Sequence, residues 1–319
     1  MPEKTDFTFR SNDRKTDVHA IRVTPDDRPK AVIQIVHGMD EYIDRYDGFA
    51  EFLAQHGYLV VGHDHLGHGD TAKTPDDFGY FADGRGDIVL VEDMHKLRLI
   101  TQDESANAGL PYFILGHSMG SYLLREYLGS YSDGLAGAII MGTGDVPDIS
   151  TNFGIALCKT EALIRGWRHR SMTIQKMTYT KPYRRYDLTG HDASNSWLTK
   201  KESVIEAYRG DPRCTFLFTL NGHRALFESV KAAGSRETIN AMAKDLPVLI
   251  VSGADDPVGD LGEGVARVRD KFLAAGMEDV TMKLYENDRH EILNETDSDR
   301  VYADILEWLD AKTDRAARV

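Results

Sequence analysis

The stretch YFILGHSMGSYLLREYLG (residues 112–129) decides how the rest of the chain is read. Four apolar residues run into Gly116-His117-Ser118-Met119-Gly120, and a helical pattern follows at once. G-x-S-x-G between a strand and a helix demands a sharp turn. The turn holds the serine in strained backbone geometry, and the flanking glycines let strand and helix approach each other. The Ser118 hydroxyl then stands above a sheet at a helix N-terminus, whose partial positive charge favours a developing oxyanion.

Outward from that motif, short apolar runs recur, each bounded by turn residues. They are AVIQIVHG (31–38), GYLVVGHD (57–64), GAIIMGTG (137–144), PVLIVSGADD (247–256) and VTMKLYEN (280–287). Near-continuous apolar strands suit a parallel sheet covered on both faces. Helical patterns lie between them: Ile88, Val91, Met94 and Leu97 recur at three-residue spacing, and Val301, Ile305, Trp308 and Leu309 form a stripe. The alternation predicts a mostly parallel, doubly wound α/β sheet. It breaks between Asp145 and Lys244, where the pieces FGIALCKTEALIRGW (153–167) and KKESVIEAYRG (200–210) read as amphipathic helices. Residues 146–243 are therefore expected to be a helical cap inserted after the sixth strand of a core made from 1–145 and 244–319.

A serine hydroxyl needs a base, and the base needs a group to orient it. In the α/β-hydrolase fold these follow in the order Ser, Asp or Glu, then His, on loops beyond strand ends. After PVLIV comes Ser252-Gly253-Ala254-Asp255-Asp256-Pro257, and after VTMKLY comes Asn287-Asp288-Arg289-His290. His290 is the only histidine beyond that acid. Asp256, whose turn is stiffened by Pro257, and Asp255 both compete for the acid. The oxyanion hole uses the backbone N–H after the nucleophile and another after the third strand, which are those of Met119 and Met39.

The whole-chain balance limits the partners. A net charge of −13 argues against nucleic acid, which needs a basic surface. No run approaches the length of a membrane-spanning helix, and MPEKTDFTFRSNDRKTD lacks a signal-like apolar segment. The two cysteines, Cys158 and Cys214, fit a reducing compartment, so a cytoplasmic location is the default expectation. Between Val146 and Ala243, however, 15 Lys/Arg face 9 Asp/Glu, and Ala162–Tyr186 holds seven cations and no acid. Either this is a solvated surface pairing with the acidic core, or the cap makes transient contact with anionic lipid. Trp167, Tyr179, Tyr183 and Tyr186, interleaved with those cations, suit an interface.

Taken together, HGMDEYIDRYDGFAEFL, DHLGHGD, GHSMG, SGADDPVG and NDRHEILNE resemble the lysophospholipase and monoacylglycerol lipase-like hydrolases, also labelled serine aminopeptidase S33. The resemblance runs from about residue 8 to 312, and WLTKKESVIEAYRGDP with CTFLFTL (197–220) matches a bacterial branch. It implies Ser118 as nucleophile, Asp256 as acid, His290 as base, and Met39 and Met119 as oxyanion donors. It further implies that Glu41 and Arg45 hold the oxyanion loop, and that the cap covers an acyl pocket. The family's D-H-R-G-H-G is altered here, with Leu66 in place of the arginine. The substrate expected is a single-chain ester, a monoacylglycerol or lysophospholipid, with no metal or organic cofactor.

Rival readings are an S33-type peptidase and a non-catalytic binding protein on the same fold. A third reads His63, His65 and His68 as metal ligands. Gly67 stands where that motif needs an aspartate, and the same residues belong to the D-H-x-G-H-G turn.

Overall fold

The computed structural model describes residues 1–179, 181–189 and 191–316. The strands are β1 (Glu3–Arg10), β2 (Asp17–Thr24), β3 (Ala31–Val36), β4 (Tyr58–His63), β5 (Tyr112–His117), β6 (Gly137–Met141), β7 (Val248–Gly253) and β8 (Val280–Tyr285). They form one sheet in the order β1-β2-β4-β3-β5-β6-β7-β8. The pairs from β4 to β8 are parallel, whereas β1–β2 and β2–β4 are antiparallel. This is the α/β-hydrolase fold.

The apolar runs become β3 to β8, and every residue of β3 to β7 is buried. Alternation still assigns their faces. Val32 and Val36 join a cluster with Met94, Leu97 and Leu124, while Ile33 and Ile35 join one with Phe49, Leu53 and Ile305. Each such Ile or Leu is worth about 2–5 kcal/mol against alanine. Gln34 lies buried on the first face because its polar atoms are satisfied: Nε2 donates to the Met94 carbonyl at 3.1 Å and Oε1 accepts from Tyr112 at 2.7 Å.

The N-terminal hairpin is absent from the apolar runs. β1 carries Glu3, Lys4, Thr5 and Asp6 exposed, and only Phe9 is buried. An edge strand with one wet face has no continuous apolar signal to read.

Among the described residues, ten α-helices flank and cover the sheet. They are α1 (Asp47–Gln55), α2 (Gly86–Asp103), α3 (Met119–Tyr131), α4 (Asp148–Arg165), α5 (Met172–Thr178), α6 (Glu202–Gly210), α7 (Leu220–Gly234), α8 (Arg236–Ala241), α9 (Glu263–Ala274) and α10 (Ser298–Ala316). In α2, Val91, Met94 and Leu97 face inward, but Ile88 is 43% exposed and Leu90 takes the inner position. Three-residue steps fall short of the 3.6-residue turn, so a stripe read that way drifts off its face.

α4 to α8 lie between β6 and β7 and form the cap. Side-chain bonds to backbone carbonyls help to tie it down. Buried Arg125 of α3 donates to the Gly144 carbonyl at 2.9 Å and to the Ala233 carbonyl at 3.1 Å. Arg170 donates to the carbonyls of Leu217 at 3.0 Å, Pro75 at 3.1 Å and Phe78 at 2.7 Å.

Candidate active site

Ser118 sits between β5 and α3 with φ 52° and ψ −119°, a backbone conformation few non-glycine residues adopt. Two glycines make the turn possible. A Cβ on Gly120 would strike the carbonyl oxygens of Val36 and His37, and one on Gly116 would strike the Gly120 carbonyl. The Ser118 N–H donates to the Met141 carbonyl at 3.0 Å, which fixes the turn on the neighbouring strand.

β7 and β8 deliver the other two side chains. Both are buried, and the His290 Nδ1 lies 3.0 Å from Asp256 Oδ2. Asp256 is held in turn by the Ser252 hydroxyl at 3.0 Å and the Val258 N–H at 2.9 Å. Asp255 engages through its backbone, its N–H donating to the Asp288 carbonyl at 2.9 Å and its carbonyl accepting from Tyr186 at 2.5 Å. Of the two aspartates, Asp256 is the one that meets His290. The His290 Nε2 is buried without a hydrogen-bond partner among the described residues. No Ser118–His290 hydrogen bond is formed, although both residues line the same cavity. Such bonds are often long before substrate binds.

Met39 and Met119 line that cavity beside Ser118. The loop carrying Met39 is set by a buried charge network. Glu41 accepts from the Gly38 N–H, from Tyr46 at 2.9 Å and from Arg45 at 3.0 Å. Arg45 also grips Glu291 through two bonds, at 2.9 and 2.7 Å. Burial works against the Glu41 carboxylate, but His117 and Arg45 hold its pKa well below the usual range. Burial likewise opposes the His117 cation, 3.0 Å from Glu41, yet that neighbour raises its pKa above the ordinary value. His117 also reaches the His290 carbonyl at 3.4 Å. One network therefore braces both the loop of Met39 and the loop of His290. Glu291 was not singled out in the sequence; its place directly after His290 was the available signal.

The D-H-x-G-H-G segment is a loop brace. Asp64 accepts from the N–H groups of Ile43 and Asp70, both at 2.8 Å, and meets His19 Nδ1 at 2.8 Å. His37, His65 and His68 pack ring against ring. Among the described residues no three of His, Cys, Asp or Glu are arranged to hold a metal ion.

The cavity has a volume of about 440 Å³. Its apolar wall comes from Phe153 of α4 and from Leu226, Phe227 and Val230 of α7. Tyr179 and Tyr183 also face inward, and the Trp197 ring lies tilted against that of His290, with centroids 5.0 Å apart. The aromatic residues expected at an interface thus divide. Two line the cavity, Trp167 packs inside the cap, and Tyr186 bonds the Asp255 carbonyl. The basic run divides too, since Arg170 is occupied by carbonyls and Arg168 lies 4.0 Å over the Tyr80 ring.

A family model described as serine aminopeptidase, S33, matches residues 27–297. The chain belongs to that family. S33 relatives include the monoacylglycerol lipase of Mycolicibacterium smegmatis, 26% identical over 293 residues, covering 90% of each chain. Phospholipase YtpA of Bacillus subtilis is 26% identical over 276 residues, covering 86% of this chain and 93% of its own. Among solved structures, a thermostable carboxyl esterase from Bacillus coagulans in complex with glycerol superposes with a TM-score of 0.88. It is 27% identical, with 97% of this chain and 99% of that one covered. Within the S33 family the chain is an α/β-hydrolase of the monoglyceride lipase type. No described helix is long and apolar enough to cross a membrane.

Proposed function

We propose that this protein is a serine hydrolase that cleaves carboxylic esters of single-chain lipids, monoacylglycerols or lysophospholipids, through an acyl-enzyme. The observation that carries this reading is the Asp256–His290 pair at 3.0 Å, on the floor of an apolar cavity that also holds Ser118. In the mechanism, Ser118 attacks the ester carbonyl while His290 Nε2 takes its proton. The N–H groups of Met39 and Met119 stabilise the oxyanion, and Asp256 fixes the imidazole tautomer and its charged form. His290 then protonates the leaving alcohol. Water hydrolyses the acyl-enzyme by the same route. The unpartnered Nε2, in a cavity that Ser118 also lines, supports the first step.

The cavity is closed by the apolar faces of α4 and α7, which favours one acyl chain over a polar peptide. Uptake from an anionic lipid surface is supported by the outer face of α4, where Leu163 is 88% and Ile164 84% exposed beside Arg165.

The test is fluorophosphonate labelling combined with turnover of p-nitrophenyl esters, lysolipids and aminoacyl amides. We expect covalent labelling at Ser118, ester turnover exceeding amide turnover, and a loss of about 10⁴-fold or more in Ser118→Ala. Faster amide turnover would favour a peptidase. An unlabelled Ser118 in folded protein would favour a binding protein.

A further inference from the structure

The carboxylates of the cavity wall are not equivalent. Three residues of the lining carry a carboxylate, Asp40, Glu41 and Glu291, and among the described lining residues there is no Lys or Arg. Glu41 and Glu291 are both held from behind by Arg45. Asp40 has no such partner. Its Oδ1 is buried and receives no hydrogen bond from any described residue. The residue sits in the left-handed region at φ 55°, on the loop directly after Met39. Burial first, and the neighbouring Glu41 second, push its pKa well above the ordinary carboxyl value.

The walls near Asp40 are aromatic. Burial and then the nearness of Asp40 raise the pKa of the Tyr179 and Tyr208 hydroxyls, Tyr179 to about 12. Trp197 lies beside the base, with its ring centroid 6.5 Å from that of Tyr179. His290 must hand its proton to the departing alcohol, so groups around its ring face the alcohol half of an ester. A buried carboxyl group without a counter-cation, bordered by π-faces, is the chemistry that takes up an ammonium group, since the bound cation compensates the charge that burial disfavours and the rings add cation–π attraction.

We propose that Asp40, with Tyr179, Tyr208 and Trp197, forms a subsite for a cationic alcohol moiety, so that the enzyme prefers esters whose alcohol carries an ammonium or quaternary ammonium group. This deepens the esterase reading and rests on it. The subsite lies inside the cap, whereas the basic residues of the cap lie largely outside, so the two surfaces select opposite charges.

The experiment compares hexanoylcholine with 3,3-dimethylbutyl hexanoate, which has the same shape with carbon in place of the charged nitrogen. In the wild-type protein kcat/KM for the choline ester should exceed that for the neutral ester by about tenfold or more. In Asp40→Asn, which tolerates the left-handed backbone, that ratio should fall to within about twofold of unity. Turnover of both esters at equal efficiency by the wild type would overturn the subsite and leave the esterase reading standing. A preference that survives in Asp40→Asn would overturn the role of Asp40. Turnover of neither ester would overturn both.

Discussion

The floor and the roof of the cavity are built in different ways. The floor is made of loops at strand ends, each pinned by backbone bonds and buried charges. Ser118 is bonded to β6, Asp256 to Ser252 and Val258, and the oxyanion loop to Glu41. The outer layer of the roof packs on a small cluster of Cys158, Ala162, Ile174 and Leu220, and it leaves Leu163 and Ile164 in water. The contrast separates two tasks. Under the proposed mechanism, the atoms that must meet a transition state sit on the part pinned by these bonds. Surfaces that must admit a flexible substrate sit where packing is lighter.

Three experiments probe that contrast. The largest effect should come from the floor. Asp256→Asn should lower kcat about 10⁴-fold, whereas Asp255→Asn should stay within about threefold, measured on one soluble ester. Equal losses would mean that the acid is not the residue that meets His290. Next is the sheet beneath the floor, where His63 is fully buried, both ring nitrogens lack a partner among the described residues, and burial pushes its pKa down to about 3. Its unfolded-state value is 6.5. The folded protein therefore resists protonation that the unfolded chain accepts. His63 contributes stability above pH 6.5 that is lost as pH falls toward 3. Relative to its difference at pH 7, His63→Leu should gain about 2 kcal/mol on wild type by pH 5, read from urea midpoints. A difference that does not change with pH would sink this assignment. The smallest effect belongs to the roof. Leu163→Ser with Ile164→Ser should slow hydrolysis of micellar lysolipid about threefold and leave a soluble ester unaffected. Equal slowing of both substrates would mean that α4 acts on the site and not on the lipid surface.

What could be read in advance follows the range of the interactions. The strands β3 to β8 announce themselves because each is buried on both faces and its local composition says so. β1 and β2 do not, since β1 meets water along most of its length and β2 alternates buried with partly exposed residues. Within the site, motif spacing points to the loops that carry Ser118, Asp256 and His290. The second partner of Arg45, Glu291, is 246 residues away in the chain and no local pattern links them. The destinations of Tyr179, Tyr183 and Tyr186 were equally hidden. Aromatic residues among cations look alike whether they turn inward or outward, and only the path of the cap decides it.

The hairpin that escaped the sequence reading has a consequence for the molecule in crowded surroundings. Five adjoining strands without a single exposed residue would make a strong template for another copy of themselves if their border were bare. On one side that border is β1, which shows Glu3, Lys4 and Asp6 to water, with Lys4 bridged to Asp44 and Asp47. A second copy approaching edge-on would have to strip water from these charges before forming its first hydrogen bond. The least apolar strand thus acts as a fence, and the protein can carry so fully buried a centre without its sheet continuing into a neighbour.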